Sequence, residues 1–201
     1  MKKILLIGLI CLQCICSFSV QAQSKDEKKA IKKELKALEK DGWKSSKSGG
    51  LALAMSKHSQ RLNSDPNLEE LSGMAFDVST PKIGESKARE DAISQFVDYC
   101  GSMVRGRITS DTRDVNGVEA DNIVAGYERI LSQAFQKELI PSYYRYREVN
   151  GKYQVVGYFL FNLKSVQKSS DDALKEAMEE AGKAFDYGNS ISDFIKEGMQ
   201  Q

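Results

Sequence analysis

Residues Tyr143 to Leu163 read YYRYREVNGKYQVVGYFLFNL. At their centre lies Asn150-Gly151, a pair that accepts positive φ at both positions, as a two-residue hairpin loop requires. Such a loop fixes the register of the two flanking strands. Val149 faces Lys152, Glu148 faces Tyr153, and Tyr146 faces Val155. Alternation then sorts the side chains. Tyr144, Tyr146, Tyr153, Val155, Phe159 and Phe161 fall on one face, and Arg145, Arg147, Lys152 and Gln154 on the other. This pattern predicts one buried face and one solvated face.

Working back from the hairpin, apolar residues recur at helical spacing. Ile123, Val124, Tyr127, Ile130, Leu131, Ala134 and Phe135 predict a helix to about residue 137, with Asn116 as its cap and Glu119 three residues on. Ala88, Ala92, Ile93, Phe96, Cys100, Met103 and Val104 predict another over about 84–105. Before it, residues 71–80 read as a strand that presents Met74, Phe76 and Val78 to one side and Gly73, Ala75 and Asp77 to the other. Pro81 ends it. Residues 51–62 form a shorter helix with Leu51, Ala54, Met55, His58 and Leu62 along one side. Residues 25–41 form a lysine-rich helix with a narrow Ile31, Leu35, Leu38 stripe, closed by Gly42 and Trp43. Residues 44–50 read as a polar loop. After the hairpin, Ser169 and Asp172 are candidate caps for a helix to about Tyr187, and Ile191, Phe194 and Ile195 suggest a short final one.

These elements predict an α+β fold. A small antiparallel sheet, one strand plus the hairpin, packs against two or three long helices, with a helical extension at the N-terminus. The expected divisions are a signal peptide over 1–22, the extension over 23–67 and the α+β domain over 68–201. The first follows from Lys2 and Lys3, the apolar run from Ile4 to Val20, and small residues in Val20-Gln21-Ala22 at a cleavage point. Cys11, Cys14 and Cys16 each lack the leucine that a lipidation signal places about three residues earlier. Soluble export to the periplasm or beyond, with no stable membrane insertion after cleavage, is the expectation. Cleavage leaves Cys100 as the remaining thiol, and its stripe position makes it a core residue.

The 201-residue chain carries 29 basic and 28 acidic residues, a net charge of +1. Loss of Lys2 and Lys3 makes the exported chain slightly acidic, so nothing points to nucleic acid. Its single histidine, His58, limits acid–base chemistry and leaves no second histidine to share a metal. A packed, neutral imidazole is the expectation. Ser165-Val-Gln-Lys168 and Ser79-Thr-Pro-Lys82 match a short S-x-x-K pattern, but the other boxes of that enzyme class are missing or out of order. Asp114 to Gly117 resembles part of a calcium loop, yet Ile123 stands where a bidentate glutamate is required. No catalytic residue, metal ligand or cofactor is therefore expected. The candidate binding residues are Tyr144, Arg145, Tyr146, Arg147 and Tyr153, whose rings and guanidinium groups suit stacking with a sugar or peptide.

Two stretches carry a family resemblance. Gly73-Met-Ala-Phe76 is followed by GESKAREDAISQFVDYCGSMVRGRI over 84–108, and PSYYRYREVNGKYQVVGYFLFNL spans 141–163. Over about residues 68–165 the chain resembles the LPP-twenty-like lipoproteins of the bacterial envelope. The resemblance implies a compact α+β domain at the cell envelope without assigned catalytic residues. The missing lipidation signal departs from that family. The expected role is non-catalytic, structural or interactive, with an envelope protein or a glycan as partner; a ligand-binding module is the alternative.

Overall fold

The computed structural model describes residues 25–46, 48–111 and 117–182. The signal segment, Asn116 and everything expected beyond residue 182 lie outside the described residues. The described residues form an α+β fold of five helices and one four-stranded antiparallel sheet. The helices are α1 (Lys25–Lys40), α2 (Gly50–Ser64), α3 (Pro81–Asp111), α4 (Gly117–Glu138) and α5 (Leu163–Glu180). The strands are β1 (Lys44–Ser45), β2 (Leu68–Val78), β3 (Ile140–Val149) and β4 (Lys152–Asn162), in spatial order β1-β3-β4-β2.

The hairpin forms as its turn dictates. Asn150 and Gly151 both take positive φ, 54° and 74°, and β3 pairs with β4 in the expected register. Its first face, with β2, packs against α3. Phe96, Phe135 and Phe161 interlock there, with Phe96 and Phe135 stacked at 4.1 Å. α4 and α5 carry Ile123, Tyr127, Leu131, Ala173, Leu174 and Met178 into the same core. Tyr127 is fully buried, and its hydroxyl meets Ser170 Oγ at 2.7 Å, so its polar end is satisfied.

β2 keeps the expected alternation as far as Phe76 and departs from it at Val78. Gly73 and Ala75 face α3, while Met74 and Phe76 are exposed. The reason is helix proximity. A Cβ on Gly73 would stand 2.0 Å from the Ala88 carbonyl oxygen, so only glycine lets α3 lie this close. The register then slips between Ala75 and Val78, where Asp77 takes φ 55°, and the bulge returns Val78 to the core. Pro81 opens α3 rather than merely ending β2, and Thr80 Oγ1 accepts from the Ile83 N–H. α5 also starts earlier than Ser169. Asn162 caps it by accepting from the Ser165 N–H at 3.2 Å, so β4 passes directly into the helix.

The second face of the sheet is covered in part, contrary to the solvated face that alternation suggested. α1 and α2 fold over it and, with Trp43 just before β1, build a smaller core from Leu51, Ala54, Met55 and Tyr143, with Ile31, Leu35, Leu38 and Tyr158 around it.

Candidate functional site

The functional groups of the outer face are brought together by a helix ending. Gly42 takes φ 79° just past α1. Its N–H donates to Glu39 O and that of Trp43 to Leu38 O, at 3.1 and 3.0 Å. This double bond pattern is a Schellman motif, which reverses the chain sharply. The next two residues pair with β3, Lys44 opposite Tyr146 and Ser45 opposite Arg145. Trp43 is thereby laid across the arginines of β3.

The Arg145 guanidinium lies 5.1 Å from the Trp43 ring and 5.2 Å from the Tyr158 ring. Arg147 lies 4.8 Å from Trp43 and donates through Nε to Gln154 Oε1 at 2.9 Å. The Arg145 side chain is only 15% exposed, and its nearest ion pair is Glu34 on α1, with Nη1 and Oε1 3.9 Å apart. That separation is beyond hydrogen-bond length. Arg145 Nε and Nη1 are both buried without a hydrogen-bond partner.

Beside this stack, Tyr143 and Tyr158 lie face to face, 4.5 Å apart and nearly parallel. Burial pushes both phenols up from their ordinary range, with Arg145 pulling the other way. His58 meets both rings edge-on. Its Nε2 donates to Glu70 on β2, and its Nδ1 lies 2.9 Å from Ser142 Oγ on β3. One imidazole on α2 thus spans β2 to β3 across β4. A histidine between a hydroxyl and a carboxylate is also the arrangement that activates serine nucleophiles. Here Ser142 is 7% exposed and His58 6%, so the network fastens a helix to a sheet.

The five candidate residues are divided by the sheet. Tyr144, Tyr146 and Tyr153 are half-buried on the α3 side, against Ala75, Val78, Ala88 and Val155. Tyr144 meets Phe159 edge-on, and Tyr146 meets Tyr153 at 6.2 Å. Arg145 and Arg147 stand on the other side with Trp43. Sequence reasoning missed Trp43, Glu34, Tyr143 and Tyr158 as members of this cluster. Tyr143 was accessible by parity, since it precedes Arg145 by two. Trp43 carries no signal of that kind, because a two-residue strand leaves no alternation to read, and Glu34 is one of many charged residues on α1.

Elsewhere, Glu119, Asn122, Ala177, Glu180 and Ala181 line a cavity of about 280 Å³ between α4 and α5. Glu180 is already engaged there, accepting from Arg129 Nη2 on both oxygens. Among the described residues no three or more His, Cys, Asp or Glu gather to hold a metal ion, and no helix is long and apolar enough to cross a membrane. No family model matches the sequence, and no curated protein or solved structure matches it either.

Proposed function

We propose that the protein is an exported, non-catalytic interaction protein of the bacterial envelope or its surroundings. The layout of residues 1–22 supports export, and the LPP-twenty-like pattern over 68–165 supports the envelope. The observation that carries the interaction role is the open end of the sheet's outer face. Phe76 is 61% exposed, Met74 two residues before it is exposed, and Val149 on β3 is exposed as well. Met74 pairs with Val156, which in turn pairs with Arg145, so the apolar residues and the arginines share one face. Aromatic and arginine side chains together are the composition of protein-binding hot spots. The partner proposed is another envelope protein.

A photoreactive side chain in place of Phe76 tests this in the producing cells. A discrete adduct is expected from position 76 and none from Glu176 on the opposite side of the molecule. Adducts from both positions, or from neither, overturn the reading. Mass spectrometry of the same material is expected to find Gln23 at the N-terminus, and an intact Met1 overturns export.

A second reading, a ligand-binding module, is favoured by one observation: two guanidinium groups are held on a single indole.

A further inference from the structure

We infer that Trp43, Arg145 and Arg147 form a site for an oxyanion, the carboxylate or phosphate group of a ligand; this rests on the ligand-binding reading. Stacking occupies the faces of a guanidinium and leaves its in-plane N–H edges free for an oxyanion. Arg145 is clamped between Trp43 and Tyr158, so its planar group is oriented before any ligand arrives. Two of its nitrogens are buried without a hydrogen-bond partner, a cost that an oxyanion removes.

The charges nearby do not balance. Arg145 and Arg147 share one indole. Of the carboxylates close by, Glu70 is bonded to His58, and Glu34 stands at 3.9 Å on the exposed side of α1. Glu34 therefore acts as a weak internal competitor that a ligand displaces. Entry is open on the hairpin side. β1 pairs only as far as Tyr146, so β3 beyond it has a free edge next to Arg147.

Trp43 is the only tryptophan in the chain, so its emission reports on the site. The full exported protein is titrated with sodium phosphate and with sodium citrate at constant ionic strength, against sodium chloride. A saturable change with phosphate, citrate or both, and none with chloride, is expected; which one responds separates a phosphate-bearing ligand from a carboxylate-bearing one. Arg145→Gln is expected to raise the half-saturation concentration at least tenfold, Arg147→Gln to raise it severalfold, and Glu34→Gln to lower it severalfold. Arg147→Gln, at the open edge, carries the test if Arg145→Gln does not fold. A wild-type response no different from chloride, equal responses in the arginine variants, or no tightening in Glu34→Gln overturns the inference. Maltohexaose is the neutral control. If it alone alters the emission, the oxyanion site is overturned and the ligand-binding reading stands; if nothing does, both fall.

Discussion

Tyr158 and Phe159 are adjacent in β4 and point to opposite sides of the sheet, and what they meet differs in kind. Phe159 is fully buried in an apolar cluster that α3, α4 and α5 complete with aromatic and aliphatic side chains. Tyr158 meets Tyr143, His58 and Arg145, so its side of the sheet is closed by rings, charges and hydrogen bonds. Burial of apolar area is non-directional and large, while each polar pair adds only a modest net amount. The inner side is therefore the source of stability. The outer side holds α1 and α2 by a few directional contacts, and it carries Arg145, two of whose buried nitrogens have no hydrogen-bond partner.

The largest effect is expected from Phe159→Ala. It empties a site touching Tyr144 and the α3 core, and truncations of this kind cost about 3–5 kcal/mol, a large part of a domain's stability. Urea unfolding should show the midpoint collapse, or no folded protein at all. A loss below about 1 kcal/mol would mean that the inner side is not the main core. A smaller and more local effect is expected from His58→Ala. It removes the bonds to Ser142 and Glu70 together with a buried ring, and hydrogen bonds that involve a charged group are worth about 1–3 kcal/mol. Hydrogen exchange should speed up in α1 and α2 while α3 and α4 keep their protection. Uniform acceleration through every helix would show that the two sides unfold as one unit.

How far this contrast was legible in the sequence depended on the range of the interaction. The hairpin was readable because Asn150-Gly151 acts within two residues and alternation carries its register outward. The stripes of α3, α4 and α5 were readable for the same local reason, and their α+β assembly followed. In β2 alternation groups Val78 with Met74 and Phe76, and the structure groups it with Ala75. The deciding fact was the closeness of α3, which demands Gly73 and Ala75 there, and the Asp77 bulge. The covered outer face was not readable. His58 sits on an apolar stripe, but its partners are 12 and 84 residues away. Trp43 reaches Arg145 through a turn and a two-residue strand, neither of which has a period. Of the candidate binding residues, Arg145 and Arg147 could be placed on one side by parity alone, but their aromatic neighbours were assigned from the wrong side of the sheet.

The smallest effect is expected from Cys100, and it probes the inner side by titration rather than by truncation. Cys100 is fully buried, and desolvation pushes its thiol from 9.0 up to about 12, with a hydrogen bond to Tyr127 pulling weakly the other way. The thiol is neutral in the folded protein over a range where the unfolded chain already ionises. A folded-state value above the unfolded one gives stability that is complete below pH 9 and is lost as pH climbs towards 12. The slope for one proton is at most about 1.4 kcal/mol per pH unit. Cys100→Ala removes the ionisable group from both states. Stability measured by urea unfolding between about pH 8 and pH 10, below the range where the buried tyrosines titrate, should therefore fall more steeply in the wild type than in the variant, by about 1 kcal/mol at the upper end. Iodoacetamide should modify the wild type only as fast as it unfolds, because the thiolate is the reactive form. Parallel pH profiles, or rapid alkylation of the folded protein, would show that α3 opens at Cys100 and that the inner side is less closed than its packing implies.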